Sequence, residues 1–328
     1  MNRLLKLAMQ KPEMAAALLL VLLVVLFQVR SYGIFLSYDN LRGIFGFLPE
    51  MGLVAIGVTL LMIAGEFDLS VGSVFALTPM SLAVLMVMGW GFWPATFIGL
   101  LVAAVVGFIN GWITIKFEIP SFITTLGMMF MARSMTVVVS GGFPPRPDFN
   151  QIPTTLFVSY VGPGQMFRSS FVWFVGIALV VHILLARTNF GNWIRATGGF
   201  LPAARGMGIP TARVKIACFI ICSLLSGFAG IIQVLRLGSP LPSLGIGYEL
   251  QAVAAAVIGG TSLAGGIGSV IGGIIGAALI RVIDNGMVMS QINSNWFQFA
   301  VGGMTIFAVV GNAWLRKRGQ AMKVETER

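Results

Sequence analysis

Long apolar runs, separated by short polar or glycine-rich segments, cover most of the chain. Stretches without Asp, Glu, Lys or Arg occupy residues 14–29, 51–65, 69–115, 119–132, 169–186, 216–235, 250–280 and 285–315. A helix that crosses a bilayer needs about 20 mostly apolar residues. The longest stretch therefore has room for two spans, with a break at Gly89-Trp90-Gly91, and the stretch from Leu250 breaks at Gly259-Gly260-Thr261-Ser262.

This pattern predicts an all-α, polytopic membrane protein with about ten transmembrane helices. The predicted spans lie near residues 14–30, 45–64, 71–88, 92–115, 120–139, 170–186, 214–235, 249–259, 264–283 and 297–315. The eighth span is short, and counts of nine or eleven are also compatible with the pattern. We expect residues 1–328 to form a single transmembrane domain without an additional soluble domain.

The composition supports an integral membrane protein and argues against several other classes. Of 328 residues, 57% are hydrophobic and 10% are charged, whereas soluble domains have about 25% charged residues. Two cysteines, one histidine and 11 carboxylates are too few for a zinc, haem or iron–sulfur site. The sequence has neither a G-x-x-x-x-G-K-[ST] phosphate loop nor a G-x-S-x-G nucleophile elbow. We therefore expect no metal, no cofactor and no enzymatic activity in this chain.

The net charge of +10 is distributed in a way that favours a membrane rather than a nucleic acid. Basic residues lie at the ends of apolar runs, where they act as topology signals. With the N-terminus in the cytoplasm, 14 of the 21 Lys and Arg residues fall on the cytoplasmic side, and seven, among them Arg236 and Arg281, lie outside or near outer ends. The positive-inside rule then predicts that both termini are cytoplasmic.

Two long connections join the predicted spans. The outer one covers residues 140–169 and is rich in glycine and proline. The inner one covers residues 187–213 and contains a short predicted helix, because Pro202 suits a first helical position, Gly208 suits a helix stop and Pro210 blocks continuation.

A helix of under two turns is unstable alone, so this one needs a partner surface or tight packing on the spans. Ala203 and Ala204 permit close approach, and Arg205 offers a fork of donors. One interpretation is a docking element for a cytoplasmic protein, and the other is a solvated connector.

A polar segment, Gly65 to Ser73, lies between two strongly apolar spans. It contains the carboxylates Glu66 and Asp68 together with Ser70, which can cap the following helix. Ionisable residues at membrane depth are costly and often functional. The segment is therefore either a polar element near the inner mouth of a pathway or a short cytoplasmic turn with an acidic cap.

Glycines recur every fourth residue at Gly268, Gly272 and Gly276. This spacing predicts a stripe of small residues on one helix face, which lets two helices approach closely in a membrane. Packing is the favoured interpretation of these positions.

Several motifs along most of the chain resemble one family, the permease subunits of bacterial ABC importers for monosaccharides, in the ribose-type branch. The residues that carry the resemblance are Asp68-Leu69-Ser70-Val71-Gly72-Ser73, Asn110-Gly111, Ile119-Pro120-Ser121-Phe122-Ile123-Thr124-Thr125-Leu126-Gly127, Ala203-Ala204-Arg205, Gly208-Ile209, Gly247-Tyr248-Glu249-Leu250, Ala254-Ala255 and Ile258-Gly259-Gly260-Thr261-Ser262-Leu263-Ala264-Gly265-Gly266. The sequence departs from the family pattern before Ala203, where Phe200, Leu201 and Pro202 replace a usual polar pair.

The resemblance implies a bacterial inner-membrane complex with ten helices per permease, similar to vitamin B12-type importers. The partners that it implies are a second permease copy or a homologous permease, ABC ATPase subunits that bind ATP and Mg, and a periplasmic sugar-binding protein. Residues Pro202, Ala203, Ala204, Arg205, Gly208 and Ile209 then match the coupling helix that fits a groove on the ATPase.

Candidate residues for the sugar pathway are polar groups inside the predicted spans or at their ends. They are Asp68, Ser70, Asn110, Ser121, Thr124, Thr125, Asn285 and Gln298. Few charged groups are expected there, because a strong site would retain the sugar. The alternative function is an ion-coupled secondary transporter in which Glu66, Asp68 or Asp284 binds protons or sodium. A passive channel would leave the short inner helix without a role.

Overall fold

The structure, a computed structural model, describes residues 12–148 and 152–326. Its principal helices are α1 (Pro12–Arg30), α2 (Tyr38–Ile63), α3 (Val71–Val87), α4 (Phe92–Lys116), α5 (Ser121–Val139), α6 (Thr154–Phe157), α7 (Ser169–Arg187), α8 (Asn189–Gly199), α9 (Leu201–Gly206), α10 (Thr211–Leu237), α11 (Tyr248–Ile258), α12 (Val270–Met289) and α13 (Phe297–Thr326). Two-residue strands β1 (Tyr160–Val161) and β2 (Phe167–Arg168) form an antiparallel hairpin. The prediction of a helical membrane protein is confirmed.

A helix overlaps each of the ten predicted spans. Within the described ranges, seven helices are long and apolar enough to cross a membrane, namely α1, α2, α4, α5, α7, α10 and α12. The apolar helices Val71–Val87, Tyr248–Ile258 and Phe297–Gly311 are shorter. The count of ten spans therefore stays a prediction.

Helix α2 lies at the centre of the bundle. From Leu48 to Ile63 every residue is buried, and the helix contacts α7, α10, α11 and α12. A helix that is apolar on all sides is typical of such a buried position. By contrast, α1 and α5 direct large apolar side chains outward, including Leu22 and Met131. These outer faces are suited to contact with lipid.

Helices α11 and α12 approach each other closely through glycine. A Cβ atom added at Gly272 or Gly276 would overlap the carbonyl oxygen of Gly259 or Ala255. Gly268, however, lies before the helix, which begins at Val270 with Ser269 as its N-cap. The prediction of one helical stripe through all three glycines is therefore wrong for Gly268.

The later start of α12 changes where its charged residues lie. The predicted span began at residue 264, but Gly265 and Gly266 adopt φ values of +82° and +76° and form a turn. Val270 lies at the same end of the bundle as Ile63, whose carbonyl accepts from the Gly266 amide. Arg281 follows Val270 by eleven residues and lies about 16 Å along the helix at 1.5 Å per residue. It lies well inside the helix rather than at an outer end.

The two predicted connections contain more structure than the sequence suggested. The inner connection holds α8 and α9, and Thr188 caps α8 by accepting from the Gly191 amide at 3.2 Å. The outer connection holds α6 and the β1–β2 hairpin. We call the end of the bundle that contains α9 and residues 64–70 the α9 end.

Candidate functional site

Helix α9 is a small exposed projection at the α9 end. Pro202, Ala203 and Arg205 are exposed, while Ala204 faces inward and is buried. Its first turn closes where the Ala204 amide donates to the Phe200 carbonyl at 3.1 Å. The sequence of this segment, with proline in the first turn and alanine next, accounts for a helix that stays narrow.

The segment after α9 reverses the chain sharply. Gly208 adopts a φ of +78°, and the amides of Gly208 and Ile209 donate to the carbonyls of Arg205 and Ala204 at 3.0 and 3.1 Å. This pair of hydrogen bonds is a Schellman motif, which requires a left-handed residue at the position that Gly208 occupies. The motif fixes the orientation of the projection relative to α10.

A cavity of about 430 Å³ lies beside α9. Glu66 and Lys215 form an ion pair across it, joining the linker after α2 to the first turns of α10. Arg205 and Leu201 of α9 also line this cavity. Arg205 Nε also donates to Thr211 Oγ1, in the first turn of α10, at 3.5 Å, so α9 is in contact with the start of α10.

Five of the predicted pathway residues form a buried hydrogen-bond network at the α9 end. The amide and hydroxyl of Ser70 donate to Asp68 Oδ1 at 2.7 and 2.6 Å, and Asn110 Nδ2 donates to Ser70 Oγ at 2.9 Å. The hydroxyls of Ser121 and Thr125 accept from the amides of Phe67 and Leu69, each at 3.0 Å.

This network attaches the linker between α2 and α3 to α4 and α5. Asp68 is completely buried, and burial raises the pKa of its carboxyl to about 6. Its Oδ2 atom has no hydrogen-bond partner among the described residues. In this conformation the five side chains hold the helices together rather than face an open passage.

The other predicted pathway residues are dispersed. Asn285 exchanges two side-chain hydrogen bonds with Asn40 of α2, each at 2.9 Å. Gln298 is exposed on α13. The hydroxyl of Thr124 is buried without a hydrogen-bond partner among the described residues.

A second polar cluster, which the sequence did not reveal as a unit, lies at membrane depth. Glu50 of α2 and Arg236 of α10 form an ion pair at 3.1 Å with both side chains buried. Arg281 donates to the hydroxyl of Tyr248 at 2.9 Å and pairs with Asp284 at 3.3 Å. Glu50 also interacts electrostatically with Arg281 and Arg168, so these side chains form one charged group.

The backbone between α10 and α11 enters the same region. Arg281 contacts Tyr248, the first residue of α11, and lies about 16 Å along α12 from Val270. Helix α11 therefore begins at a similar distance from the α9 end, which is about half of a hydrocarbon core about 30 Å thick. Arg133 holds the incoming segment by donating to the carbonyls of Pro242 and Leu244 at 2.6 and 2.8 Å. Irregular backbone at membrane depth is tolerated where it is buried in protein or lines a watery cavity.

Comparison with known proteins identifies the family to which the chain belongs. Residues 40–309 match the family described as the permease component of branched-chain amino acid transport systems. The chain is 36% identical over 278 residues to the ribose import permease protein of Escherichia coli K12. The aligned residues cover 84% of this chain and 86% of that protein.

Two further relatives carry other names. The xylose/arabinose import permease protein of Sulfolobus acidocaldarius is 32% identical over 300 residues, covering 88% of this chain and 82% of that protein. The autoinducer 2 import system permease protein of Salmonella paratyphi B is 32% identical over 313 residues, covering 94% of this chain and 88% of that protein. No solved structure matches the chain.

Proposed function

Because the chain belongs to the family of permease components of branched-chain amino acid transport systems, we propose that it is the transmembrane subunit of an ATP-driven importer for a monosaccharide. The observation that carries this proposal is the similarity to a ribose import permease along 84% of the chain. In this proposal the chain offers the sugar a path with alternating access, and a partner ATPase binds ATP and Mg and hydrolyses the nucleotide.

We propose that helix α9 couples ATP hydrolysis by the partner ATPase to transport by this chain. Residues Pro202, Ala203, Ala204, Arg205, Gly208 and Ile209 would fit a groove on the ATPase. Support comes from the exposed, narrow shape of α9 and from its contact with the start of α10, where Arg205 Nε donates to Thr211 Oγ1. The exposed Phe200 beside α9 predicts a groove that is less polar than the family usually has.

The proposed assembly contains this permease, a second copy or a homologous permease, ATPase subunits and a periplasmic sugar-binding protein. It lies in the bacterial inner membrane with both termini in the cytoplasm. We count ten spans in a single domain, as in vitamin B12-type importers, by including the short helices α3, α11 and α13. Helix α11 qualifies despite its length because the segment before it completes the crossing.

The predicted pathway residues take two roles in this proposal. The network of Asp68, Ser70, Asn110, Ser121 and Thr125 would hold the inner mouth closed, with Thr124 beside it. Asn285 and Gln298 would contribute to the polar wall.

The coupling role can be tested with a matched pair of alanines. Ala203→Arg places a long cation on the exposed side of α9 and is expected to lower sugar-stimulated ATPase activity and uptake at least tenfold in the reconstituted complex. Ala186→Arg, at an exposed position on α7 outside the coupling segment, is the control and should retain both activities within about twofold. Equal activity of the two variants would contradict the assignment of α9.

Ion-coupled secondary transport is the alternative, and the family membership disfavours it. It requires an essential carboxylate at Glu66 or Asp68, so that Glu66→Gln and Asp68→Asn would abolish uptake at every pH. Glu66 is already ion-paired with Lys215, which leaves it poorly suited to bind a transported cation. Uphill sugar uptake in liposomes without any ATPase, driven by an ion gradient, would favour this alternative.

A further inference from the structure

A small cavity opens between α2 and α12 at membrane depth. Its volume is about 240 Å³, and its wall includes Phe47, Arg281, Asp284 and Asn285. Pockets for drug-sized ligands hold about 300–1,000 Å³, so this one suits a smaller molecule.

The carboxylate of Asp284 shows that this cavity faces water or protein rather than lipid. Its side chain is 45% exposed, and it lies about 21 Å along α12 from Val270, inside a helix that is long and apolar enough to cross a membrane. An ionised side chain in that position is costly in lipid and marks a substrate or ion pathway by default. The face of α12 that carries Asp284 and Asn285 therefore belongs on the polar interior of the transporter.

The polar groups at the cavity offer donors and acceptors together. Arg281, Asp284 and Asn285 all line the cavity; the guanidinium of Arg281 carries donors, while Asp284 and Asn285 carry acceptor oxygens. The Arg281–Asp284 pair places a donor and an acceptor 3.3 Å apart. Hydroxyl groups both donate and accept hydrogen bonds, so a polyol can satisfy this set at several points.

The opposite wall is aromatic. Phe47 is half-exposed, and the guanidinium of Arg236 lies 3.8 Å from its ring centroid. A flat ring beside a few polar groups is typical of small-molecule pockets, and it can pack against the C–H face of a sugar ring. Arg236 in turn is held by Glu50 at 3.1 Å, which fixes its position over the ring.

The charges at the cavity are balanced. The charged residues that line the cavity are Arg281 and Asp284, which form an ion pair with each other. A ligand with a net charge would leave one of these partners uncompensated in a region of low dielectric constant, which is unfavourable. The balance therefore favours an uncharged ligand.

We propose that the cavity formed by Phe47, Arg281, Asp284 and Asn285 is a recognition site within the permease for an uncharged monosaccharide. This inference rests on the proposed import function and adds to it a place where the permease itself selects the sugar, separate from any binding protein. The site places one pair of charged side chains, Arg281 and Asp284, in a pathway wall for which few charged groups were expected.

The test measures sugar binding to the permease alone. The purified chain in lipid nanodiscs is titrated with D-ribose, and weak binding is followed by saturation-transfer difference NMR. Asp284→Asn and Arg281→Gln are each expected to weaken binding about tenfold or more, as expected for the loss of a hydrogen bond to a charged group. Asp39→Asn, an exposed carboxylate at the start of α2, is the matched control and should bind as the unmodified chain does.

A conservative variant and a charged ligand complete the test. Arg281→Lys retains the charge and should keep part of the affinity even if Arg281→Gln folds poorly. D-gluconate tests the charge argument, and its binding in preference to D-ribose would overturn the inference. Absence of D-ribose binding to the unmodified chain, or equal binding by Asp284→Asn, would overturn it as well.

ATP-dependent uptake by the complete complex separates this inference from the proposed function. If the unmodified complex takes up sugar and Asp284→Asn transports it at the same rate with the same concentration dependence, the recognition site is wrong and the importer assignment stands. If no sugar stimulates uptake while the permease alone still binds D-ribose through Asp284, the importer assignment fails and the site remains.

Discussion

At the scale of single residues, Asp68 shows how the structure uses a buried charge. Its carboxylate accepts two hydrogen bonds from Ser70, which favour the ionised form, but burial outweighs them and raises the pKa to about 6. In an unfolded chain the pKa would be close to 3.8. The folded protein therefore binds a proton at this site more tightly than the unfolded chain does.

The pH dependence of stability follows from this difference. Between pH 4 and pH 6 the folded state retains a proton that the unfolded state has lost, so stability falls as the pH rises through this range and is constant above it. The full effect is on the order of 3 kcal/mol. We expect the melting temperature in detergent, followed by tryptophan fluorescence, to rise by several degrees between pH 7.5 and pH 5.

Asp68→Asn is expected to remove this rise, because the amide keeps an acceptor for Ser70 and does not titrate. Asp39→Asn, at an exposed position, should retain it. A rise that persists in Asp68→Asn would assign the titration to another group.

The residues of the buried network were predictable individually, because polar side chains inside apolar runs stand out. The charged group around Glu50 was not predictable in the same way. Glu50 and Arg236 lie far apart in the sequence, and taken singly each is a charged residue near the end of a predicted span. Only the packing of α2 against α10 and α12 brings them together.

At the scale of elements, glycine sets how closely α11 and α12 approach. The Gly276→Ala variant would place a methyl group against the backbone carbonyl of Ala255, which cannot move without shifting α11. We expect a loss of about 1–3 kcal/mol, typical of overpacking, seen as a lower melting temperature and a smaller monodisperse fraction in gel filtration.

Gly302→Ala on α13 is the control for this variant, since an added Cβ there meets no atom within 4 Å. In a helix interior this change should be neutral or slightly stabilising. Equal melting temperatures for Gly276→Ala and the unmodified chain would mean that the close approach of α11 and α12 is not a determinant of stability.

Hydropathy located the helices well but placed some of their ends poorly. The start of α12 was predicted six residues early because Leu263, Ala264 and Ile267 continue the apolar run through a turn made by glycine. Helix α8 was missed because its sequence, with Gly191 and two asparagines, is neither apolar nor strongly helical. Its stability comes from packing against α7 and α10, which sequence patterns do not show.

At the scale of the whole molecule, the orientation in the membrane decides which end of the bundle could meet the proposed ATPase. The distribution of basic residues predicts that α9 lies in the cytoplasm and that the segment before the β1–β2 hairpin lies outside. Phe143 and Met207 are exposed at the two opposite ends, 79% and 70% respectively. Both native cysteines, Cys218 and Cys222, are buried, so they provide a low background for thiol labelling.

Single-cysteine labelling therefore tests the orientation directly. With a membrane-impermeant maleimide on intact spheroplasts, Phe143→Cys is expected to be labelled, whereas Met207→Cys should react only after the membrane is permeabilised. The unmodified chain is the control and should remain unlabelled, because reaction requires access to the thiol. The reverse pattern would place α9 outside the cell, where it could not meet an ATPase, and would contradict the coupling role together with the orientation.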